Sequence, residues 1–296
     1  MNLSGEIAAL LAACCWSGSS MSFTSAIRRV GSVNVNVTRM FFAAFYLLIT
    51  ILFFNLPINL TATQMWLLIL SGFCGLVFGD TYLFQAFDLI GARFTMLITC
   101  TVPAMNSLFA YLFLNETLSI INISGIVITI FGIFMVVLEE KSSDDVIPHE
   151  IAKGIFYAFL ASIGHAVGLL LAKIAFAFGD INFFVATEIR IFSSAILLLP
   201  IMVALKKYKN PIKTFSENKP ALYFTMFASF IGPFLGITLS MIAIANTKLG
   251  IASTLMATSP LILLPLGHLI HHEKFSIKTI LGTLIAVGGV AILFLV

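Results

Sequence analysis

Residues 99–119 read TCTVPAMNSLFAYLFLNETLS, and residues 257–276 read ATSPLILLPLGHLIHHEKFS. Laid over one another with Pro103 on Pro260, an offset of 157, both place a Thr-x-Pro inside an apolar run and a Glu thirteen residues after the proline. Proline removes an amide hydrogen and crowds the carbonyl four residues earlier, so each phrase predicts a bent or interrupted helix that frees the carbonyls of Thr99 and Met256. A chain that writes this interruption twice is using one structural unit twice.

The surroundings of the phrase are those of a membrane protein. The 296 residues are 60% hydrophobic and only 10% charged, with mean hydropathy +1.08, against about 25% charged in a typical soluble domain. A spanning helix takes about 20 apolar residues. Cutting at charged and turn-rich punctuation predicts ten spans, near 3–24, 34–55, 64–87, 92–114, 119–138, 152–176, 183–204, 221–245, 250–270 and 276–296. The fold class is therefore an all-α integral membrane protein. The start, MNLSGEIAALLAACCWSGSSMSF, carries no basic leader and reads as the first span.

The offset extends well beyond the opening phrase. Phe73 meets Phe230, Gly75 meets Gly232, Gly79 meets Gly236, Thr81 meets Thr238, Ser119 meets Ser276, Gly125 meets Gly282 and Gly132 meets Gly289. Arg39 pairs with Arg190 at a shorter offset. The polar run EEKSSDDVIPHE lies between the copies, which gives a first five-helix repeat at 1–140, a linker at 141–150 and a second repeat at 151–296. With an odd number of spans per repeat, the second copy enters the membrane upside down, the architecture of many secondary transporters.

Lysine and arginine mark the cytoplasmic side. Twelve of the 16 fall at loops after odd-numbered spans: Arg28, Arg29, Arg93, Lys141, Lys153, Lys206, Lys207, Lys209, Lys213, Lys219, Lys274 and Lys278. This bias predicts a multi-pass protein of the cell (inner) membrane with both termini outside.

Two five-helix units, each with a proline-bearing fourth helix, a Glu at its end and a glycine-rich fifth helix, resemble the drug/metabolite transporter superfamily, and within it the EamA-type ten-helix members. The matching pieces are CCWSG in span 1, Arg39 and Arg190, P…NETLS…G…G and P…HEKFS…G…G. The resemblance implies export or exchange of small polar metabolites such as amino acids, with the substrate in a central cavity, and relatives that flip lipid-linked headgroups supply the alternative. The chain departs from internal symmetry where the first repeat has Asp80 and the second Ile237.

Ionisable residues inside spans are costly in hydrocarbon and are functional or paired. They are Arg39, Asp80, His165, Lys173, Glu188 and Arg190. Arg39 is expected to pair with Asp80, and Glu188 with a cation on another helix. Asp80 is the leading substrate- or proton-binding carboxylate, with a structural ion pair as the plainer alternative. His165 stands where Trp16 stands in the first repeat, as a proton relay or a packing residue. Trp16 with its neighbours Ser17 and Ser20 offers an aromatic wall and hydroxyls that suit a cavity or a packed helix, and Tyr82 a pocket hydroxyl or simple packing. Thr101 and Thr258 are expected to bond back to the previous turn beside Pro103 and Pro260, at a bend facing the pathway or at a static kink. Glu116 and Glu273 suit helix-corner capping, Ser119 and Ser276 suit N-caps, and the Gly-x-x-x-Gly pairs suit close helix packing.

HLIHHEK at 268–274 lacks a metal-site spacing. No cofactor is expected, no phosphate loop or nucleophile elbow occurs, and the four cysteines (Cys14, Cys15, Cys74, Cys100) lie in apolar runs with no C-x-x-C. A membrane prenyl- or phosphotransferase would need clustered carboxylates for Mg²⁺, so the chain is not read as an enzyme. The expected partners are a small-molecule solute, protons as a coupling ion and the lipid bilayer, with no nucleic acid; monomer and homodimer both remain open.

Overall fold

The computed structural model describes residues 3–139, 148–259, 261–262 and 277–295. These residues are helical or in short connections, with no strand among them. The elements are α1 (Ser4–Val30), α2 (Ser32–Phe53), α3 (Ala62–Gly72), α4 (Asp80–Thr99), α5 (Val102–Leu114), α6 (Ile120–Glu139), α7 (Pro148–Ala177), α8 (Phe183–Ala204), α9 (Pro211–Glu217), α10 (Lys219–Ser229), α11 (Ile237–Asn246), α12 (Leu249–Met256) and α13 (Ile277–Leu295). Six stretches are long and apolar enough to cross a membrane: Ser4–Val30, Ser32–Phe53, Ala62–Gly91, Glu150–Ala177, Phe183–Ala204 and Lys219–Asn246. Val102–Leu114, Ile120–Met135 and Ile280–Leu293 are shorter apolar helices. Of the ninth expected span only the beginning falls among the described residues.

Three boundaries differ from expectation. Helix α1 runs through Arg28 and Arg29 to Val30. Cations in a last turn complement the helix dipole, so they do not stop the helix. The expected span 92–114 is two pieces, because the chain turns at Cys100–Thr101, while the break expected before it is present at Gly91 (φ 75°). The loop between spans 7 and 8 contains the unpredicted α9, started by Asn210, whose side chain accepts from the Lys213 amide.

The repeat seen in the sequence recurs in local structure. Residues Phe73–Gly79 and Phe230–Gly236 are both π-helical, and they join α3 to α4 and α10 to α11 as continuous rods. The proline breaks recur as well. Thr101 N donates to Ile98 O (3.1 Å) and Thr258 N to Leu255 O (3.2 Å), bonds related by the same offset. Pro103 sits in the first turn of α5, where a missing amide hydrogen costs no helical bond. The two breaks meet: the Cys100 thiol lies 4.0 Å from the carbonyl of Ala257, its own repeat equivalent.

Reciprocal glycine contacts join the halves. Helix α7 crosses the first π-segment, Gly164 against Gly79 and Gly168 against Gly75, while α1 crosses the second, Cys15 and Trp16 against Gly236 and Ser19 against Gly232. Helix α6 lies along α13 with Gly132 facing Gly282 and Gly125 facing Gly289. Small residues let backbones approach and gain dispersion contacts where no hydrophobic effect separates helix from lipid. The outer faces are apolar and exposed, as at Phe45, Phe53, Phe131 and Ile163, which suits surfaces that meet acyl chains.

Candidate functional site

The crossing of the halves encloses a cavity of about 210 Å³ lined from α1, α2, the two π-segments, α4, α7, α8, α11 and α12. Five of the residues singled out in the sequence border it: Trp16, Arg39, Asp80, His165 and Arg190. Asp80 is the first residue after the π-segment. There its carboxylate receives the Arg39 guanidinium through Nη2 and lies 3.0 Å from His165 Nε2 through its other oxygen. The expected Arg39–Asp80 pair therefore forms, at 5% and 6% residue exposure, and His165 joins it as a third member.

Arg39 is held on every side. Its Nε donates to Asn36 Oδ1 (3.0 Å), and its guanidinium carbon stands 4.4 Å from the Phe84 ring centroid and 5.5 Å from that of Phe23. Such stacking suits a planar delocalised cation. Arg190 is as deeply buried, at 3%, but among the described residues its Nη1 meets only the Met241 sulfur at 3.1 Å and its Nε has no partner.

The other residues singled out lie elsewhere. Tyr82 packs its ring on Phe78 and Tyr157, with centroids 4.9 and 5.2 Å away. Among the described residues Glu188 does not form its expected pairing, and its Oε2 is buried there with no hydrogen-bond partner. The spacing that turns Glu188 and Arg190 to different faces of α8 says nothing of which helix each face meets. Thr101 is exposed and donates to Ile98 O (2.8 Å), and Thr258 is buried and donates to Leu255 O (2.7 Å), so both bond back to the previous turn as expected. Pro103 is buried beside the break without lining the cavity. Pro260, Glu273, Ser276 and the 268–274 histidines lie outside the described residues.

Neighbours also satisfy the interrupted backbone, as a low-dielectric setting demands. Ser17 Oγ donates to Ser259 O (2.7 Å), and Ser259 Oγ to Ala13 O (3.2 Å). The sequence marks Ser17 as a hydroxyl beside Trp16 that suits a cavity or a packed helix, whereas it carries no such signal for Ser259.

At one end of the molecule a polar network crosses between the halves. Glu116 Oε2 accepts from Leu249 N (2.9 Å), capping α12, and Oε1 lies 3.5 Å from Lys173 Nζ. Lys173 Nζ donates to Ile244 O (2.6 Å) and Thr247 O (2.9 Å), Lys248 Nζ donates to Thr117 O (2.7 Å), and Thr247 Oγ1 donates to Glu6 Oε1 (2.7 Å). Lys173, read as a mid-span cation, thus serves at a helix end. Ser119 caps α6, accepting from Asn122 N (3.1 Å).

A multi-pass helical protein whose paired arginines, aspartate and histidine converge on one central cavity has the form of a membrane solute carrier. The EamA-like transporter family matches twice, over residues 3–138 and 152–295, and the chain belongs to that family. A solved crystal structure, described only as that of a protein, has the same fold: TM-score 0.77 at 15% identity, covering 99% of this chain and 98% of the other. No curated protein matches. Membership makes the chain a membrane transporter of small solutes.

Proposed function

We propose that the chain is a secondary transporter, exporting small polar metabolites such as amino acids by alternating access of two inverted five-helix repeats, 1–140 and 151–296, with ten spans in all. The observation that carries this reading is the cavity itself. Its lining draws on corresponding positions of both halves, Arg39 with Arg190 and Trp16 with His165, which supports rocking of one half against the other that exposes one site to either side. Protons are the proposed coupling ion, because His165 and Asp80, two side chains that can carry a proton, are bonded to each other in the cavity wall.

Uptake into proteoliposomes of a panel of labelled amino acids and other small metabolites, with and without a pH gradient, tests it. Solute flux that responds to the gradient is expected. Scrambling of a labelled lipid without solute flux would assign a flippase instead.

The cavity lining reaches Phe87 and Met96, on either side of Gly91, whereas the Glu116–Lys173–Leu249 network ties the opposite end. Charge-assisted hydrogen bonds contribute about 1.5–3 kcal/mol each. Glu116→Gln should therefore raise about tenfold the reactivity of a thiol placed at cavity residue 253 toward an impermeant maleimide applied from the Glu116 side, in a background without the native cysteines. An unchanged rate would show that this network does not hold the end closed.

A further inference from the structure

The two equivalent arginines end in unlike surroundings. In the first repeat Asp80 Oδ2 neutralises Arg39. In the second, the position of Asp80 is Ile237, itself in the cavity lining and one turn before the Met241 that touches Arg190. Arg39, Arg190 and Asp80 leave the lining with one uncompensated positive charge when His165 is neutral. A guanidinium at 3% exposure whose Nε has no partner among the described residues is costly to bury unless an anion completes it.

We propose that Arg190 anchors the carboxylate of a monoanionic solute whose apolar body fills the rest of the cavity; the inference rests on the transporter reading of this site. A single planar fork matches a carboxylate bidentately, and a single surplus charge matches a monoanion. The hydroxyls that line the space already donate elsewhere: Ser20 to Ser17 O (2.9 Å), Ser240 to Ile237 O (2.7 Å) and Ser253 to Leu249 O (2.8 Å). They offer a ligand lone pairs, so among the described lining residues the Arg190 guanidinium is the charged donor without a carboxylate partner, beside the neutral Trp16 indole N–H. Phe23, Phe84, Phe87, Leu83 and Met256 make the remaining wall apolar, which selects a hydrocarbon or aromatic body. Arg39 and His165 occupy both oxygens of Asp80, so within the proposed class of small metabolites the inference narrows the solute from amino acids to carboxylates without an ammonium.

The test is calorimetric titration of the purified full chain in detergent with 3-phenylpropanoate, its neutral amide and phenyl phosphate. The carboxylate should bind at least tenfold more tightly than either of the others. Arg190→Gln should bring it down to the level of the amide while the affinity for the amide stays unchanged. Ile237→Asp, which supplies Arg190 with the carboxylate that Arg39 already has, should do the same, and it keeps the test open if the arginine variant does not fold. No preference for the carboxylate in the native protein, a preference that survives in a folded variant, or tighter binding of the phosphate would each overturn the assignment. Parallel flux measurements separate the two readings. Carboxylate binding without flux of any solute overturns transport and leaves the anchor, whereas flux indifferent to the carboxylate overturns the anchor and leaves transport.

Discussion

Asp80→Asn is expected to destabilise the protein by about 3–5 kcal/mol, the cost of breaking a buried ion pair from one side, and to abolish transport. The substitution leaves Arg39 stacked between Phe23 and Phe84 with its charge uncompensated, beside a second buried arginine. It also replaces the carboxylate beside His165 by a neutral amide with one acceptor oxygen instead of two. Thermal unfolding in detergent measures the first effect and proteoliposome flux the second.

The double variant Arg39→Gln/Asp80→Asn distinguishes a structural pair from a working one. Removing both charges takes away the orphan, so most of the stability should return, by a coupling of the kind double-mutant cycles isolate. Transport should not return, because the carboxylate that holds His165 at the cavity is gone. Full recovery of flux in the double variant would reduce Asp80 to a structural partner of Arg39.

The constant offset between the halves was legible because it is written in residues that apolar helices rarely share by chance, proline, glutamate and glycine, and it reappears as matched π-segments and matched breaks. The Arg39–Asp80 pair was legible because isolated charges in hydrocarbon seek each other. The π-segments themselves were not. One extra residue per turn leaves the composition of FCGLVFG and FIGPFLG unchanged, and it turns Asp80 toward α2 and α7 in a way no straight-helix count anticipates. Glu188 failed for a related reason: periodicity assigns a face to a side chain but not the neighbour that the face will meet. The role of Arg190 depended on what its counterpart has and it lacks, which becomes apparent only when both arginines are seen in one cavity.

Gly164→Val is expected to be among the most damaging substitutions away from the charged residues, and one that acts directly on the cavity. Even a Cβ at Gly164 would stand 2.7 Å from Cys74 O, 2.8 Å from Gly79 Cα and 3.0 Å from Gly79 N. All three are backbone atoms of a packed π-segment, so no side chain can swing aside. Overpacking of this kind costs about 1–3 kcal/mol, and more when only backbone can move. Relief must come from α7 backing away from Phe73–Gly79, which carries His165, the next residue, off Asp80 (3.0 Å) and widens the crossing between the halves. The expected result is a lower melting temperature together with a loss of transport larger than the loss of folded protein. Gly18→Ala is the matched control: its Cβ would meet nothing within 4 Å, and alanine favours a helix over glycine by about 1 kcal/mol, so stability should hold or rise and transport should persist. If Gly164→Val behaved like Gly18→Ala, the close crossing of α7 on the π-segment would not be what sets the geometry of the cavity.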